Sequence, residues 1–448
     1  MSSQTAAAVP VIIGVGDVRN KSLRVEDATE PAELMVDAVQ CAINDTGLDG
    51  EARKALLDHA DVLRVVPTWT WVYNDLPGVI AERLGVKPCR GVLGYHGGNQ
   101  PALQCDEAAR DIASRKSVVS IITGGEALAS LAACQKAGLS PPKGWLEPDP
   151  DGKQVSLDLA VLSQGSGALH SMGLPIHVYP LYENARRAHR RQSAAENNIE
   201  SAKMYAAFDG ISSINPYSWN FEATPKTAGQ IGSPSQKNRI ICDPYPLLMN
   251  AFNGVNLSAA CILTSTEMAE KLGVSRDKWV YVLGGAGTHE KNNFWERRHL
   301  HRSEAICKSI DAALHVSGLS MCDIDCYDFY SCFPIVPKLA CDHVGLATNS
   351  WAKPISLLGG LTSFGGAGNN YSMHAITALS RELRARRFRT GLVLANGGML
   401  THQHALCLSA GPRRDGGSYS LHNPLPDVVD DFSPSFIESA NGPAAIEV

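Results

Sequence analysis

The hydrophobic pattern of the first 127 residues alternates between short apolar runs and amphipathic segments. Short apolar runs predict buried strands, and apolar residues three or four positions apart predict helices. In chain order the pattern predicts a strand at 9–15, a helix at 31–45, a strand at 61–67, a helix at 75–85, a helix from Pro101 and a strand at 118–122. Such alternation of strands and helices is typical of a layered α/β fold.

The stretch from Gly91 to Ala127 contains the most informative local pattern. A glycine pair, Gly97-Gly98, precedes Asn99-Gln100, and Pro101 follows where the predicted helix begins. Proline suits a first helical position because its missing N–H would have no partner there. The start of a helix collects unpaired N–H groups and the positive end of the helix dipole, which favour an anion or a developing oxyanion. We therefore expect a reactive group among residues 96–100.

The same order of elements occurs a second time from about Lys278 onward. The matching segments are 279–287, 305–319, 324–331, 336–346 and 355–398. Corresponding glycines are separated by 271 positions (Gly47 and Gly318), 268 positions (Gly97 and Gly365) and 273 positions (Gly124 and Gly397). A steady offset across five elements indicates an internal duplication.

The two copies differ by one long insertion. The second copy passes almost directly from its glycine pair to the apolar run 404–409, whereas the comparable run of the first copy starts only at Ala259. The intervening residues contain a predicted helical segment, 181–207, and long insertions in α/β folds are usually lids or binding loops. The predicted organisation is a first half (9–127 with 250–272), a lid insertion (128–249), a second half (276–412) and a tail (413–448).

Composition narrows the class of protein further. The chain has 448 residues, is 44% hydrophobic and carries a formal charge of −5. Because the net charge is negative, nucleic acid and anionic membranes are not expected as main partners, and no apolar run approaches the ~18 residues of a membrane span. The twelve cysteines show no C-x-x-C pair, so we predict reduced core cysteines and no bound metal. With no secretory signal and no C-terminal Ser-Lys-Leu, we predict a cytoplasmic location, with a peroxisomal one as the alternative.

Several phrases resemble the thiolase superfamily. They are GGNQP at 97–101, PYPLLMNAFNGVNLSAACILTS at 244–265, YDFYS at 327–331, FGGAGNNYSMHA at 364–375 and ANGG at 395–398. The resemblance is closest to sterol-carrier-protein-type thiolases and to thiolase-like proteins of type 1, and the tail resembles the start of an extra C-terminal domain of that group. It implies a five-layered αβαβα fold built from two βαβαβαββ halves. It also implies a homodimer or a dimer of dimers, acyl-CoA esters as substrates without another bound cofactor, and a role in lipid metabolism.

The same resemblance implies that the usual thiolase chemistry is missing. A thiolase uses a cysteine nucleophile at the first-half helix start, and the alignment places Asn99 there. Of the three second-half loops, the first reads Tyr327-Asp328-Phe329 where the family has His or Asn, and the second has Gly366 where the family has histidine. The third has Ala395 in place of a cysteine acid/base. Because an amide cannot form an acyl-enzyme, ordinary two-step thiolysis is not expected.

The remaining candidates for chemistry are hydroxyl, carboxyl and imidazole groups. Tyr327 is the predicted acid/base, because a phenol beside an oxyanion-stabilising pocket can protonate or deprotonate a β-hydroxyl, and Asp328 is the predicted orienting group. His96, His402 and His404 are candidate bases. For each of these residues a purely structural role is the competing interpretation.

The residues expected near a CoA ester are Asn256, Ser258, Gly366, Asn369 and Asn370. A basic run, Arg186, Arg187, Arg190 and Arg191, could meet the phosphates or form a solvated helix face.

Three functions are consistent with this sequence to different degrees. The first is an enzyme that forms or cleaves a C–C bond of a CoA-linked substrate by tyrosine acid/base chemistry. The second is a catalytically degenerate protein that binds acyl-CoA or serves as a scaffold. The third, a dinucleotide-dependent oxidoreductase, is disfavoured because Gly14-Val15-Gly16 is followed by Asp-Val-Arg instead of completing G-x-G-x-x-G.

Overall fold

A computed structural model of the chain describes residues 7–88, 90–150, 172–349, 352–429, 439 and 441–443. The strands are β1 (Pro10–Arg19), β2 (Ala60–Val65), β3 (Arg90–Leu93), β4 (Val119–Ala127), β5 (Ile240–Cys242), β6 (Tyr245–Pro246), β7 (Asn256–Ser265), β8 (Val280–His289), β9 (Cys326–Phe329), β10 (Thr390–Gly397) and β11 (His402–Ser409).

The helices of the described residues fall before, within and after the insertion. They are α1 (Pro31–Asp45), α2 (Gly50–Asp58), α3 (Leu76–Leu84), α4 (Gln100–Ala113), α5 (Leu128–Lys136), α6 (Pro175–His189), α7 (Ala194–Ile214), α8 (Ala228–Gly232), α9 (Thr266–Leu272), α10 (Glu304–Ser317), α11 (Ile335–Val344), α12 (Gly360–Ser363) and α13 (Tyr371–Arg384). Each of these helices is too short or too polar to cross a bilayer.

The main sheet has two mirrored parts that meet at its centre. Its strand order is β3-β2-β4-β7-β1-β8-β11-β10-β9. β1 pairs with β8 through Val11–Tyr281 and Ile12–Val280. In each part, parallel strands lie outside and antiparallel strands lie next to the joint. The matching order agrees with the duplication predicted from the repeated glycine offsets.

Helices cover both faces of each part of the sheet. α1 packs against β1, β4 and β7, and α10 packs against β8 and β11. On the inner face, α4 and α13 contact each other and strands from both parts of the sheet. The layered α/β architecture predicted from the sequence is therefore confirmed, with the two glycine-preceded helices at its centre.

The insertion differs from its prediction in one respect. The helical segment expected at 181–207 is two helices, α6 and α7, rather than one. The chain turns at Arg191, which adopts a left-handed φ of 53°, and Ser193 begins α7 with a capping box to Glu196. Part of the predicted insertion, 151–171, and part of the predicted tail, 430–438, lie outside the described residues.

A buried ion pair joins the insertion to the second half. Lys338 of α11 donates to Glu183 of α6 at 2.6 Å, and both side chains are 0% exposed. The same ammonium group donates to Asn197 Oδ1 and Ser201 Oγ on α7 at 2.9 and 2.7 Å. Because each donor hydrogen of Lys338 has an acceptor, this contact holds both insertion helices on the core.

Candidate active site

The two glycine-rich loops meet at the start of α4. A Cβ atom added to Gly98 would lie 2.4 Å from the carbonyl oxygen of Asn396 and 2.7 Å from the hydroxyl oxygen of Tyr330. A Cβ atom added to Gly397 would lie 2.4 Å from Asn99 Oδ1. Only glycine allows two backbones to approach this closely. The start of the first central helix therefore faces the end of β10 from the second half.

This close approach leads to a prediction about stability. We expect Gly98→Ala to lower the free energy of unfolding by about 1–3 kcal/mol, because the added methyl must displace Asn396 or Tyr330. Gly210→Ala is the matched control, since a Cβ atom on Gly210 meets no atom within 4 Å. Denaturant unfolding of both variants measures the effect, and an equal change in the two would contradict the close packing of the loops.

Asn99 occupies the N-cap position of α4. It is 3% exposed, and its Nδ2 donates to the Tyr95 hydroxyl at 2.7 Å. Its side chain caps no backbone N–H of the helix, and its Oδ1 has no hydrogen-bond partner among the described residues. The predicted nucleophile position thus carries an amide at the helix start.

The structure places Tyr330, rather than Tyr327, beside this helix start. Strand β9 alternates its side chains, and Tyr327 shares a face with Leu392 of β10, which in turn pairs with Cys407 of β11. On β8, the neighbour of Cys407 is Gly284, whose added Cβ atom would meet Ser317 of the outer helix α10. Tyr327 therefore points away from α4. Tyr330 lies on the inner face, and its hydroxyl has no hydrogen-bond partner within the described residues.

Asp328 lies on the same inner face as Tyr330 but supports a neighbouring loop. Its Oδ2 accepts hydrogen bonds from Leu357 N at 2.7 Å and from Ser356 Oγ at 3.1 Å. Burial raises the pKa of Asp328 to about 7. Tyr371, whose ring lies edge-on to Tyr330 at 5.5 Å, has its pKa raised by burial and by Asp328. Asp328 is therefore part of the buried surroundings behind Tyr330.

Tyr179 of the insertion reaches the second glycine loop. Its hydroxyl donates to the carbonyl oxygen of Gly398 at 2.8 Å and accepts from Asn396 Nδ2 at 3.0 Å. Its ring stacks on Phe333 at a centroid distance of 4.7 Å. Tyr179 was not a sequence candidate because no motif surrounds it within the insertion, and only the fold brings it to Asn396.

His96, Asn369 and Asn370 lie around the start of the second central helix. Asn369 Nδ2 lies 3.1 Å from His96 Nδ1 and donates to the carbonyl oxygen of Pro67 at 2.9 Å. Asn370 Nδ2 donates to the carbonyl oxygen of Gly124 at 2.6 Å. The structure thus brings these three candidates to the two central helix starts, where the two asparagines donate to backbone carbonyl groups of the first half.

Glu126 is a further carboxyl group near the start of α13, and it was not identified as a candidate from the sequence. It accepts from Thr68 and Thr70 hydroxyls at 2.9 and 2.7 Å and from Trp69 N at 2.7 Å. Burial raises the pKa of Glu126 to about 7 despite these donors. A Cβ atom on Gly368 would lie 2.2 Å from its carboxyl oxygen, so Glu126 lies directly against the turn that precedes α13.

His402 and His404 line a cavity of about 600 Å³ beside the start of α4. Asn99 and Tyr95 form another part of its wall. Burial, followed by the charges of His289 and Arg297, lowers the pKa of His402 to about 4. His404 is instead bound by a buried carboxylate, with its Nε2 2.9 Å from Asp106 Oδ2. The cavity is therefore a candidate ligand site in which His402 is neutral near pH 7.

The other residues that were predicted to contact CoA lie against groups of the protein itself. Asn256 accepts from Ser130 N at 2.8 Å and donates to the carbonyl oxygen of Asn20 at 2.9 Å. Ser258 donates to the carbonyl oxygen of Gly124 at 2.8 Å. A Cβ atom on Gly366 would lie 2.4 Å from Asn253 Oδ1. No free side-chain group of Asn256 or Ser258 is therefore directed at Tyr330.

The predicted basic run is largely engaged in ion pairs. Arg186 is 1% exposed and binds Asp342 at 2.6 Å, and Arg190 binds Glu200 at 3.1 Å. Arg187 donates to the carbonyl oxygen of Gln192 at 3.2 Å. The run therefore stabilises the insertion rather than forming one free basic face. No group of three or more metal-ligating side chains occurs in the part of the chain that the structure describes.

Comparison with known proteins places this geometry in a family. No protein-family model and no curated protein matches the chain. Among solved structures, the monomeric SCP2-thiolase-like protein type 1 from Mycobacterium smegmatis is 30% identical, with a TM-score of 0.76 over 91% of this chain and 79% of that chain.

Two more distant structures share the fold. The Ltp2-ChsH2(DUF35) aldolase is 17% identical, with a TM-score of 0.66 over 92% of this chain and 99% of that one. Human mitochondrial 3-ketoacyl-CoA thiolase is 14% identical, with a TM-score of 0.64 over 90% of this chain and 99% of that one. Together with the mirrored sheet and the paired glycine loops, the 30% identity shows that the chain belongs to the thiolase superfamily, among the SCP2-thiolase-like proteins.

Proposed function

We propose that this chain is an enzyme that forms or cleaves a C–C bond of a CoA-linked substrate, with Tyr330 as the acid/base. The observation that carries this proposal is the Tyr330 hydroxyl, which has no hydrogen-bond partner within the described residues and lies against Gly98. The names of the fold neighbours, an aldolase and a 3-ketoacyl-CoA thiolase, support a reaction of this class. Tyr330 replaces the sequence candidate Tyr327 because the two side chains lie on opposite faces.

The cysteines nearest to this site are poorly suited to acyl transfer. Cys332 lies 3.9 Å from Asn396 Nδ2, and burial raises the pKa of its thiol to about 12. Cys105 is fully buried one and a half turns into α4, with its Sγ 3.6 Å from Cys261 Sγ. Because the thiolate is the reactive form of cysteine, these thiols favour a route without an acyl-enzyme.

In the cleavage direction, the Tyr330 phenolate takes the proton of a β-hydroxyl group. The electron pair of that O–H bond forms the new carbonyl group, the Cα–Cβ bond breaks, and its electron pair passes to the thioester as an enolate. The positive end of the helix dipole at the start of α4 stabilises the enolate oxygen. A proton from water then reaches Cα. In the condensation direction, neutral Tyr330 gives its proton to the new alkoxide.

This role predicts a strong pH dependence for cleavage. Burial raises the pKa of Tyr330 well above 10, so the phenol is protonated near neutral pH and its phenolate is a minor form. We expect kcat/KM for cleavage to rise about tenfold per pH unit between pH 7 and 9, because the phenolate fraction rises tenfold per unit. A pH–rate profile measures this slope. A flat cleavage profile would contradict a tyrosine base.

A product screen tests the proposed reaction. The full chain is incubated with 3-ketoacyl-CoAs and 3-hydroxyacyl-CoAs, with and without free CoA, and the products are identified by mass. The proposal predicts a ketone or aldehyde together with a CoA thioester from a 3-hydroxyacyl-CoA, without consumption of free CoA. Products that form only when free CoA is present would indicate ordinary thiolysis instead.

A specific observation also favours the second candidate, a degenerate acyl-CoA-binding or scaffolding protein. The rings of Tyr179, Tyr245 and Phe333 fill the space between the insertion and the end of β9, with Tyr179–Phe333 and Tyr245–Phe333 centroids 4.7 and 5.1 Å apart. Such filling limits the room for a substrate beside Asn396. Tight CoA binding without products from any substrate pool would support this candidate.

Two further expectations stay predictions. The resemblance predicted a homodimer or a dimer of dimers, whereas the relative from Mycobacterium smegmatis is named as monomeric. Light scattering of the purified chain distinguishes these states. The cytoplasmic location also stays a prediction.

A further inference from the structure

A second cavity, of about 350 Å³, lies between the end of α7 and the outer part of α13. It shares no lining residue with the cavity beside α4. Much of its wall is apolar, formed by Ile211, Tyr217, Leu357, Phe364 and Ala378. Its volume is roughly twice the ~150 Å³ of a cavity that holds one benzene ring. The space therefore suits a small organic molecule.

A buried Asp–His pair contributes polar groups to this cavity. His374 Nδ1 lies 2.6 Å from Asp17 Oδ1, and these residues are 0% and 7% exposed. Burial alone would raise the pKa of Asp17, but the His374 hydrogen bond and the Arg381 charge lower it. Because the ionised carboxylate can only accept, Nδ1 of His374 carries the proton of this hydrogen bond.

The other ring nitrogen of His374 has no partner. Nε2 is buried and accepts no hydrogen bond from any described residue. In the neutral ring this nitrogen is an acceptor, and a buried acceptor without a donor costs free energy. A donor group from a molecule in the cavity would satisfy it.

The charged groups around the cavity are already paired. Arg381 binds Asp17 at 2.7 Å, and its guanidinium group lies over the Tyr217 ring, 4.5 Å from the centroid. Arg387 is paired with Glu382. A ligand with a net charge would therefore find no unpaired protein charge to neutralise it. Burying such a charge in an apolar space is unfavourable.

We propose that this cavity binds a neutral, mainly apolar molecule with one hydroxyl group, which donates its hydrogen bond to His374 Nε2. The apolar part of the molecule packs against Leu357, Phe364 and Ala378. This site is independent of the C–C bond chemistry proposed for Tyr330, because none of its residues takes part in that reaction.

Calorimetric titration of the full chain with 1-octanol and 2-octanone tests the site. The two probes have the same chain length, but only the alcohol can donate a hydrogen bond. We expect 1-octanol to bind at one saturable site about tenfold more tightly than 2-octanone. Equal affinities, tighter binding of the ketone or no saturation with 1-octanol would overturn the proposal.

Two variants locate the binding event. Ala378→Phe fills the cavity with a ring and leaves the acceptor residue His374 in the sequence, so it is expected to weaken 1-octanol binding at least tenfold. His374→Leu removes the acceptor and is expected to abolish the preference for the alcohol. Unchanged binding in Ala378→Phe would place the alcohol elsewhere and refute the site. Cleavage activity is measured in the same preparations, so a failure of the Tyr330 proposal is seen separately.

Discussion

Tyr330→Phe is expected to lower kcat for cleavage of a 3-hydroxyacyl-CoA by about 10²–10⁴-fold, the usual contribution of a positioned acid/base. The variant removes one hydroxyl oxygen and leaves the ring in place. Because that hydroxyl has no hydrogen-bond partner among the described residues, the free energy of unfolding should change little. The measurement is steady-state turnover in the product screen, combined with denaturant unfolding of both proteins.

Tyr327→Phe is the matched control for this prediction. Tyr327 lies in β9 and Tyr330 directly follows this strand. Both are buried, with 2% of Tyr327 and 7% of Tyr330 exposed. Tyr327 faces the outer helices, so Tyr327→Phe should retain wild-type turnover. The pH profile of its cleavage reaction should also match that of the wild type. A loss of turnover in Tyr327→Phe with normal activity in Tyr330→Phe would reverse the assignment.

The second large expected effect concerns stability. Lys338→Met should lower the free energy of unfolding by about 3–5 kcal/mol, because it leaves the Glu183 carboxylate buried without its cation. Lys338 and Glu183 are both 0% exposed and 2.6 Å apart, and burial lowers the pKa of Lys338. Tyr245 continues to donate to Glu183 at 2.7 Å, but a hydroxyl group does not neutralise the charge. Urea unfolding of the variant measures the loss.

Two comparisons distinguish an unpaired charge from lost packing. The double variant with Lys338→Met and Glu183→Gln should recover part of the lost stability, because no buried charge then remains. Arg276→Ala should leave the unfolding midpoint nearly unchanged, because its ion pair with Glu270 is solvent-exposed. A double variant that is less stable than Lys338→Met alone would contradict the account of this ion pair.

The parts of the fold with strong periodicity could be predicted from the sequence. Helix α1 occupies its predicted bounds, 31–45, because its apolar residues recur on one face. Several short elements were not predicted, and two of them show the reason. Helix α2 buries only Leu56, and edge strand β3 contains Arg90 and Gly91 and is mostly exposed. Neither element has an apolar pattern strong enough to reveal it.

The position of the site was easier to predict than its residues. The glycine turn at 97–98 and the ANGG phrase at 395–398 both stood out in the sequence, and the structure brings Gly98 and Gly397 together. The choice between Tyr327 and Tyr330 depends on which face of β9 is turned inward. These residues are three positions apart, so they lie on opposite faces, and a single sequence does not reveal which face meets α4. The position of Tyr179 beside Asn396 could not be predicted, because it depends on how the insertion folds.

Intact-protein mass spectrometry during turnover of a 3-hydroxyacyl-CoA tests the central claim most directly, because C–C bond chemistry by a tyrosine needs no covalent intermediate. The account predicts a chain of unchanged mass while a ketone or aldehyde and a CoA thioester accumulate. An acyl adduct on Cys332 or Cys105 that forms and decays at the rate of turnover would contradict it and would restore an acyl-enzyme mechanism.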